Sequence, residues 1–185
     1  TGNYNVFLGR GTGYSNISGS ENIFIGDLTG NSNSTGYANV FVGDGSGYTN
    51  STGYWNIFLG RSSGYSNTDG YANIIIGDFA GFDNTTGDKN VLIGDYAGGS
   101  NTDGYNNVSL GANAGWANTS GHDNVFIGTN TGYSNELGNW NVFVGREAGY
   151  SSSDGVSNVY IGQKAGYNAD TSNYNVIIGT LAGEY

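Results

Sequence analysis

Short apolar runs of three residues punctuate the chain at a fixed interval, each preceded by Asn and closed by Gly, as in Asn5-Val6-Phe7-Leu8-Gly9, Asn22-Ile23-Phe24-Ile25-Gly26 and Asn141-Val142-Phe143-Val144-Gly145. The interval is 17 residues, and the register holds from Asn5 to Asn175 through eleven repeats. Runs that are β-branched or aromatic, short and ended by Gly predict strands. A second, weaker extended stretch is expected at Ala80-Gly81-Phe82-Asp83-Asn84, before the turn Thr85-Thr86-Gly87. Helix is excluded, because nothing recurs at i, i+3, i+4 and Gly interrupts every few residues.

A 17-residue unit with about two short strands and Gly-containing turns predicts an all-β chain: a parallel β-solenoid, or β-roll, of about eleven coils. Its rod would be on the order of 50 Å long, since successive coils sit one strand spacing apart. Residues 1–185 read as a single solenoid, uncapped at both ends and expected to be a segment of a longer protein or filament.

Stacking turns each position of the repeat into a row. Two rows are purely aliphatic, Val6 to Val176 and Leu8 to Ile178. They lie two residues apart, hence on one face, and with the small row Thr12, Ser46, Ala80, Ala97, Ala114 and Ala148 they are expected to fill a narrow core. The intervening row, which includes Phe7, Phe24, Phe41, Phe58, Phe126, Phe143 and Tyr160, would then point outward. An apolar stripe of that length calls for a cover, and another copy of the rod fits best unless the coil folds part of itself over it. Those aromatic residues are therefore the expected oligomer interface. The Asn rows, Asn5 to Asn175 and Asn16 to Asn135, read as amide ladders that satisfy the turns.

Composition changes the picture in three ways. Gly (35) and Asn (27) make up about a third of the chain, yet three repeat positions hold nearly all of the Gly, so the bias is positional. Absence of Pro and Cys excludes collagen and disulfide scaffolds, and lack of Cys fits an extracellular setting. A net charge of -10 with only five Lys and Arg argues against nucleic acid, and no apolar run is long enough for membrane insertion.

The repeated segments 5–9, 22–26 and 141–145 resemble the Asn/Ser-Val-Ala-Ile-Gly repeats of YadA-like head domains, found in trimeric autotransporter adhesins and related phage tail fibres. The resemblance implies a β-roll, association of three chains and a head that binds host surfaces, matrix proteins or glycans. The unit here is longer, and its middle position carries Phe where that family usually has a small residue.

Chemistry-bearing residues are few. His122 is the only His and no Ser has a base at fixed spacing, so no catalytic residue, metal site or cofactor is expected. The row Arg10, Asp27, Asp44, Arg61, Asp78, Asp95 reads as a solvated charge ladder. Sequons occur at Asn16, Asn33, Asn50, Asn84, Asn107 and Asn118; all but Asn107 sit in one Asn row, arise from its turn, and would be glycosylated only if that row faced outward. A further aromatic row, Tyr14, Tyr48, Tyr65, Phe82, Trp116, Tyr133, Tyr150 and Tyr167, is joined by Tyr37, Tyr54, Tyr71 and Tyr105. Stacking explains the first of these rows, while Trp55, Trp116 and Trp140 are the best candidates for glycan contacts.

The resulting expectation is an extracellular, cell-surface or virion fibre segment that is structural and adhesive. It would be a homo-oligomer, trimeric or filamentous, and not an enzyme. Alternatives are an ice-binding solenoid using Ser15, Ser66, Ser100 and Ser134 with Thr68, Thr85, Thr102 and Thr119, and, more distantly, a polysaccharide-acting β-helix.

Overall fold

The computed structural model describes residues 2–184. Eleven three-residue strands run from β1 (Val6–Leu8) and β2 (Ile23–Ile25) through β10 (Val159–Ile161) to β11 (Val176–Ile178). They form one parallel sheet in sequence order, and every strand pairs with residues 17 positions on, such as Phe24 with Phe41. This is the β-solenoid expected from the repeat. Each coil contributes one strand, not two. The stretch around Ala80–Asn84 is a turn, although it too bonds coil to coil through Gly81 N–H to the Ala97 carbonyl (2.9 Å) and Asp83 N–H to the Gly99 carbonyl (3.0 Å).

The inside and outside of the strand are reversed from the expectation. Phe24, Phe41, Phe58, Ile75, Phe126, Phe143 and Tyr160 are fully buried, and the flanking aliphatic rows face out. Phe7 keeps 37% exposure only because it occupies the first strand. A coil with a single short strand encloses room for one large side chain. Each aromatic ring lies across the far wall, where a Cβ on Gly30 would come 2.5 Å from Phe24 Cε2. That wall is completed by the small row, with Ala80, Ala97, Ala114 and Ala148 buried as anticipated. The alternative in which the coil closes over its own Phe row is the one the chain adopts. Rings stack along the axis at 4.8 Å for Phe24–Phe41, 4.6 Å for Phe41–Phe58 and 4.6 Å for Phe143–Tyr160. Each spacing matches the strand separation.

Both Asn ladders form, the second from Asn16 as far as Asn118 and not through the expected Asn135. In the first, Asn22 accepts the Asn39 backbone N–H at Oδ1 (3.1 Å) and donates Nδ2 to the Gly36 carbonyl (2.9 Å), so one amide ties successive coils. In the second, Asn50 donates to Asn33 Oδ1 (2.8 Å) and to the Gly53 carbonyl (3.2 Å).

Candidate interaction surfaces

Alternation along each strand puts the residues on either side of the buried ring onto the opposite face of the sheet. All 22 positions of those two rows, Val6 to Val176 and Leu8 to Ile178, are Val, Ile or Leu. They are partly shielded only by their stacked neighbours: Ile23, Ile57 and Ile74 keep 39%, 38% and 36% exposure. The result is a flat aliphatic stripe roughly 48 Å long and about 10 Å wide, from strand spacing and rise. Its footprint of roughly 500 Å² is near the upper end of what a monomer leaves exposed. The expected interface residues Phe7, Phe24, Phe41, Phe58, Phe126, Phe143 and Tyr160 therefore do not form it. The exposed apolar surface is the adjacent aliphatic pair.

The sequon row is likewise turned inward. Asn33, Asn50 and Asn84 are fully buried, Asn118 is 3% exposed, and Asn16 is half-buried. Each of these side-chain nitrogens donates, Asn16 to the Gly19 carbonyl (3.1 Å) and the others to the preceding amide of the ladder, as Asn84 does to Asn67 Oδ1 at 2.9 Å. A glycan would have to displace those bonds, so the row is structural. Thr68, Thr85, Thr102 and Thr119 also commit their hydroxyls, each to a carbonyl of the next coil at 2.9–3.2 Å.

Two of the three Trp residues stand out from the rod. Trp55 and Trp140 are 58% and 56% exposed and occupy the same repeat position five coils apart, about 24 Å along the axis. Tyr37 and Tyr54 support the Trp55 edge at 6.1 and 5.1 Å, and His122 supports Trp140 at 5.3 Å. His122 itself stacks on Tyr105 at 4.7 Å, and its Nδ1 lies 2.9 Å from Asp123, whose carboxyl this contact holds below its usual range. Trp116 belongs to a different row and stacks on Tyr133 at 5.1 Å.

Both exposed Trp residues have left-handed backbone (φ 56). They belong to a row, Tyr4 to Tyr174, in which every coil takes that conformation without glycine, and nine non-glycine residues do so in the row that includes Leu28 and Phe79. Sequence reasoning missed these turns, because their signal is the lack of any preferred residue. The cost is of order 1–2 kcal/mol per residue. The coil-to-coil bonds hold them, as when Trp55 N–H donates to the Tyr37 carbonyl (3.2 Å).

Charges are sparse and most are exposed; Glu147, with its side chain 19% exposed, lies 3.7 Å from Lys164. Arg10 bonds Asp27 at 2.6 Å, and this hydrogen bond lowers the Asp27 carboxyl. Arg61 lies 3.3 Å from Asp78. Among the described residues no three His, Cys, Asp or Glu gather as a metal site would require, and no helix is long and apolar enough to cross a membrane. Comparison with family models, curated proteins and solved structures finds no match to this chain.

Proposed function

We propose that the chain is a structural and adhesive fibre segment, a rigid rod that works as a homo-oligomer outside the cell or on a virion. The observation that carries this reading is the aliphatic stripe, uninterrupted by a polar residue over eleven coils. Copies of the same chain are the cover that matches it in length and chemistry. Two stripes pressed face to face would bury about 1,000 Å² in total, the lower bound for a specific interface, and three meeting at an axis would bury more. The resemblance of the repeats to YadA-like heads points the same way. Exposed, edge-supported Trp55 and Trp140 give the rod two flat platforms of the type that contact glycans or matrix proteins. An ice-binding role has less support, because the Thr hydroxyls it would use are held by backbone carbonyls.

Sedimentation equilibrium at micromolar concentration tests the association. The expected result is a dimer or trimer that falls to monomer when Ile76→Glu places charge on the stripe, with the β-rich circular dichroism spectrum retained. A folded wild-type monomer would sink the reading.

A further inference from the structure

Between Tyr14 and Tyr167 the outer aromatic ladder lacks a ring twice: at Asn31, whose amide fills the rung and donates to the Gly11 carbonyl (2.9 Å), and at Gly99, which leaves no side chain at all. Tyr48, Tyr65 and Phe82 stack at 5.0 and 5.2 Å, and Trp116, Tyr133, Tyr150 and Tyr167 stack at 5.1, 5.0 and 5.0 Å. Between Phe82 and Trp116 the same position is Gly99. The backbone conformation does not demand glycine there: φ of Gly99 lies outside the left-handed region that the repeat glycines at the neighbouring position occupy, and the nearest backbone atom to a Cβ would be the Tyr96 carbonyl oxygen at 3.3 Å. The gap therefore arises from removal of a ring alone.

A second departure from the repeat falls at the same place. Only at Phe79 and Tyr96 does the row three residues upstream carry aromatic side chains. Those two rings stack on each other at 5.2 Å and, with Phe82 and Trp116, wall a cavity of about 260 Å³ floored by Gly99. Asp83 and Ser100 provide its polar rim. A cavity of roughly 150 Å³ accepts benzene, so this one holds a single substituted ring. Two rungs span about 10 Å, which is two stacking distances. A flat ring fills that interval as the other rungs do, whereas a puckered pyranose is thicker.

We infer that the Gly99 slot binds one flat aromatic ring bearing a cationic or hydrogen-bonding edge, sandwiched between Phe82 and Trp116 with that edge on the Asp83 carboxylate. The sign of the charge follows from Asp83, the one charged residue lining the slot, which enters no ion pair among the described residues, and from the net charge of -10; the Arg61 guanidinium, 4.8 Å over the Phe79 ring, is paired with Asp78. This inference is independent of how the rods associate.

Tyramine is a suitable probe. In a Trp55→Phe, Trp140→Phe background, Trp116 is the only indole and its emission reports directly on the slot. Tyramine is expected to shift that emission saturably. Gly99→Tyr supplies the missing ring; its Cβ would lie 3.1 Å from Trp116 Cδ1, so the indole shifts by a few tenths of an ångström and the response is abolished. Asp83→Asn should weaken tyramine about tenfold, the effect of losing one charge-assisted hydrogen bond. Phe82→Leu removes a wall without filling the slot and should also weaken binding, which keeps the test decisive if Gly99→Tyr misfolds. No saturable response up to the solubility of tyramine, an unchanged response in folded Gly99→Tyr, or saturation by methyl glucoside instead of tyramine would each overturn the proposal.

Discussion

At the scale of single residues, Asn and Gly in this chain are coupled three positions apart. A Cβ on Gly36 would collide with Asn33 Oδ1 and with the Gly53 carbonyl, so the glycine is there to make room for the folded-back amide. Where the Asn of that row gives way to Ala169, the matching glycine gives way to Ser172. The row already loses its Asn one coil earlier, at Ser152, and the amide-to-amide bonds end at Asn118. Asn135 there donates to the Ser152 carbonyl (3.2 Å), and Asn118 Oδ1, Asn135 Oδ1 and Ser152 Oγ are buried with no partner. Ser152→Asn restores an amide above Gly155, which is still in place, and lets Asn135 turn back to Asn118. Satisfying two or three buried groups should stabilise the rod by about 1–2 kcal/mol. Urea denaturation measures it, and a lower midpoint would show that the rung does not reform.

At the scale of the strand, the buried position of each coil is interchangeable among apolar residues, whereas the phenol of Tyr160 placed there goes unpaired. Tyr160 is fully buried on Phe143, and its hydroxyl has no hydrogen-bond partner. Burial pushes this phenol up; Asn175 pulls weakly the other way, its amide protons already given to Asn158 Oδ1 and the Asn173 carbonyl. Tyr160→Phe should therefore raise the thermal midpoint, corresponding to about 1 kcal/mol. A drop would reveal an unseen partner for the hydroxyl. The same element marks where sequence reading succeeds and fails. Period, register, strand identity, the small row and both amide ladders follow from repetition alone. Which side of Val-Phe-Leu faces inward does not, because alternation groups residues by face without ranking the faces. The deciding signal was the strict glycine six residues after each Phe, as Gly30 after Phe24, which clears space for a ring. It reads equally well as a turn glycine until the two walls are seen together. An exposed apolar stripe is present despite this inversion because both faces of the strand are apolar, while the sequon row is buried from Asn33 to Asn118.

At the scale of the whole rod, each coil touches only its neighbours, so stability is a sum of coil and interface contributions and the weakest interface decides where the rod opens. That interface lies near the middle. The buried row runs Phe58, Ile75, Leu92 and then meets Ser109, where the core divides into two clusters, one ending at Ala97 and the other beginning at Ala114. Phe126 leans into the vacated space: it tilts 31° from Phe143, and a Cβ on Gly115 would lie 2.7 Å from its Cδ2. The outer ladder breaks at Gly99 in the preceding coil, so neither stack of rings bridges this joint. Native-state hydrogen exchange should find amides near Val108–Leu110 opening at lower denaturant than those of β3 (Val40–Val42) or β9 (Val142–Val144). Ser109→Leu places an aliphatic side chain where Leu92 shows that one fits, and lets Phe126 stand upright. Burying it should add about 1–2 kcal/mol at the joint. The gain should appear as closer coincidence of the two halves' unfolding transitions, with a larger rise for amides beside position 109 than for those of the end coils. A uniform shift along the chain would mean that the eleven coils already unfold as one unit and that the break in the core is energetically silent.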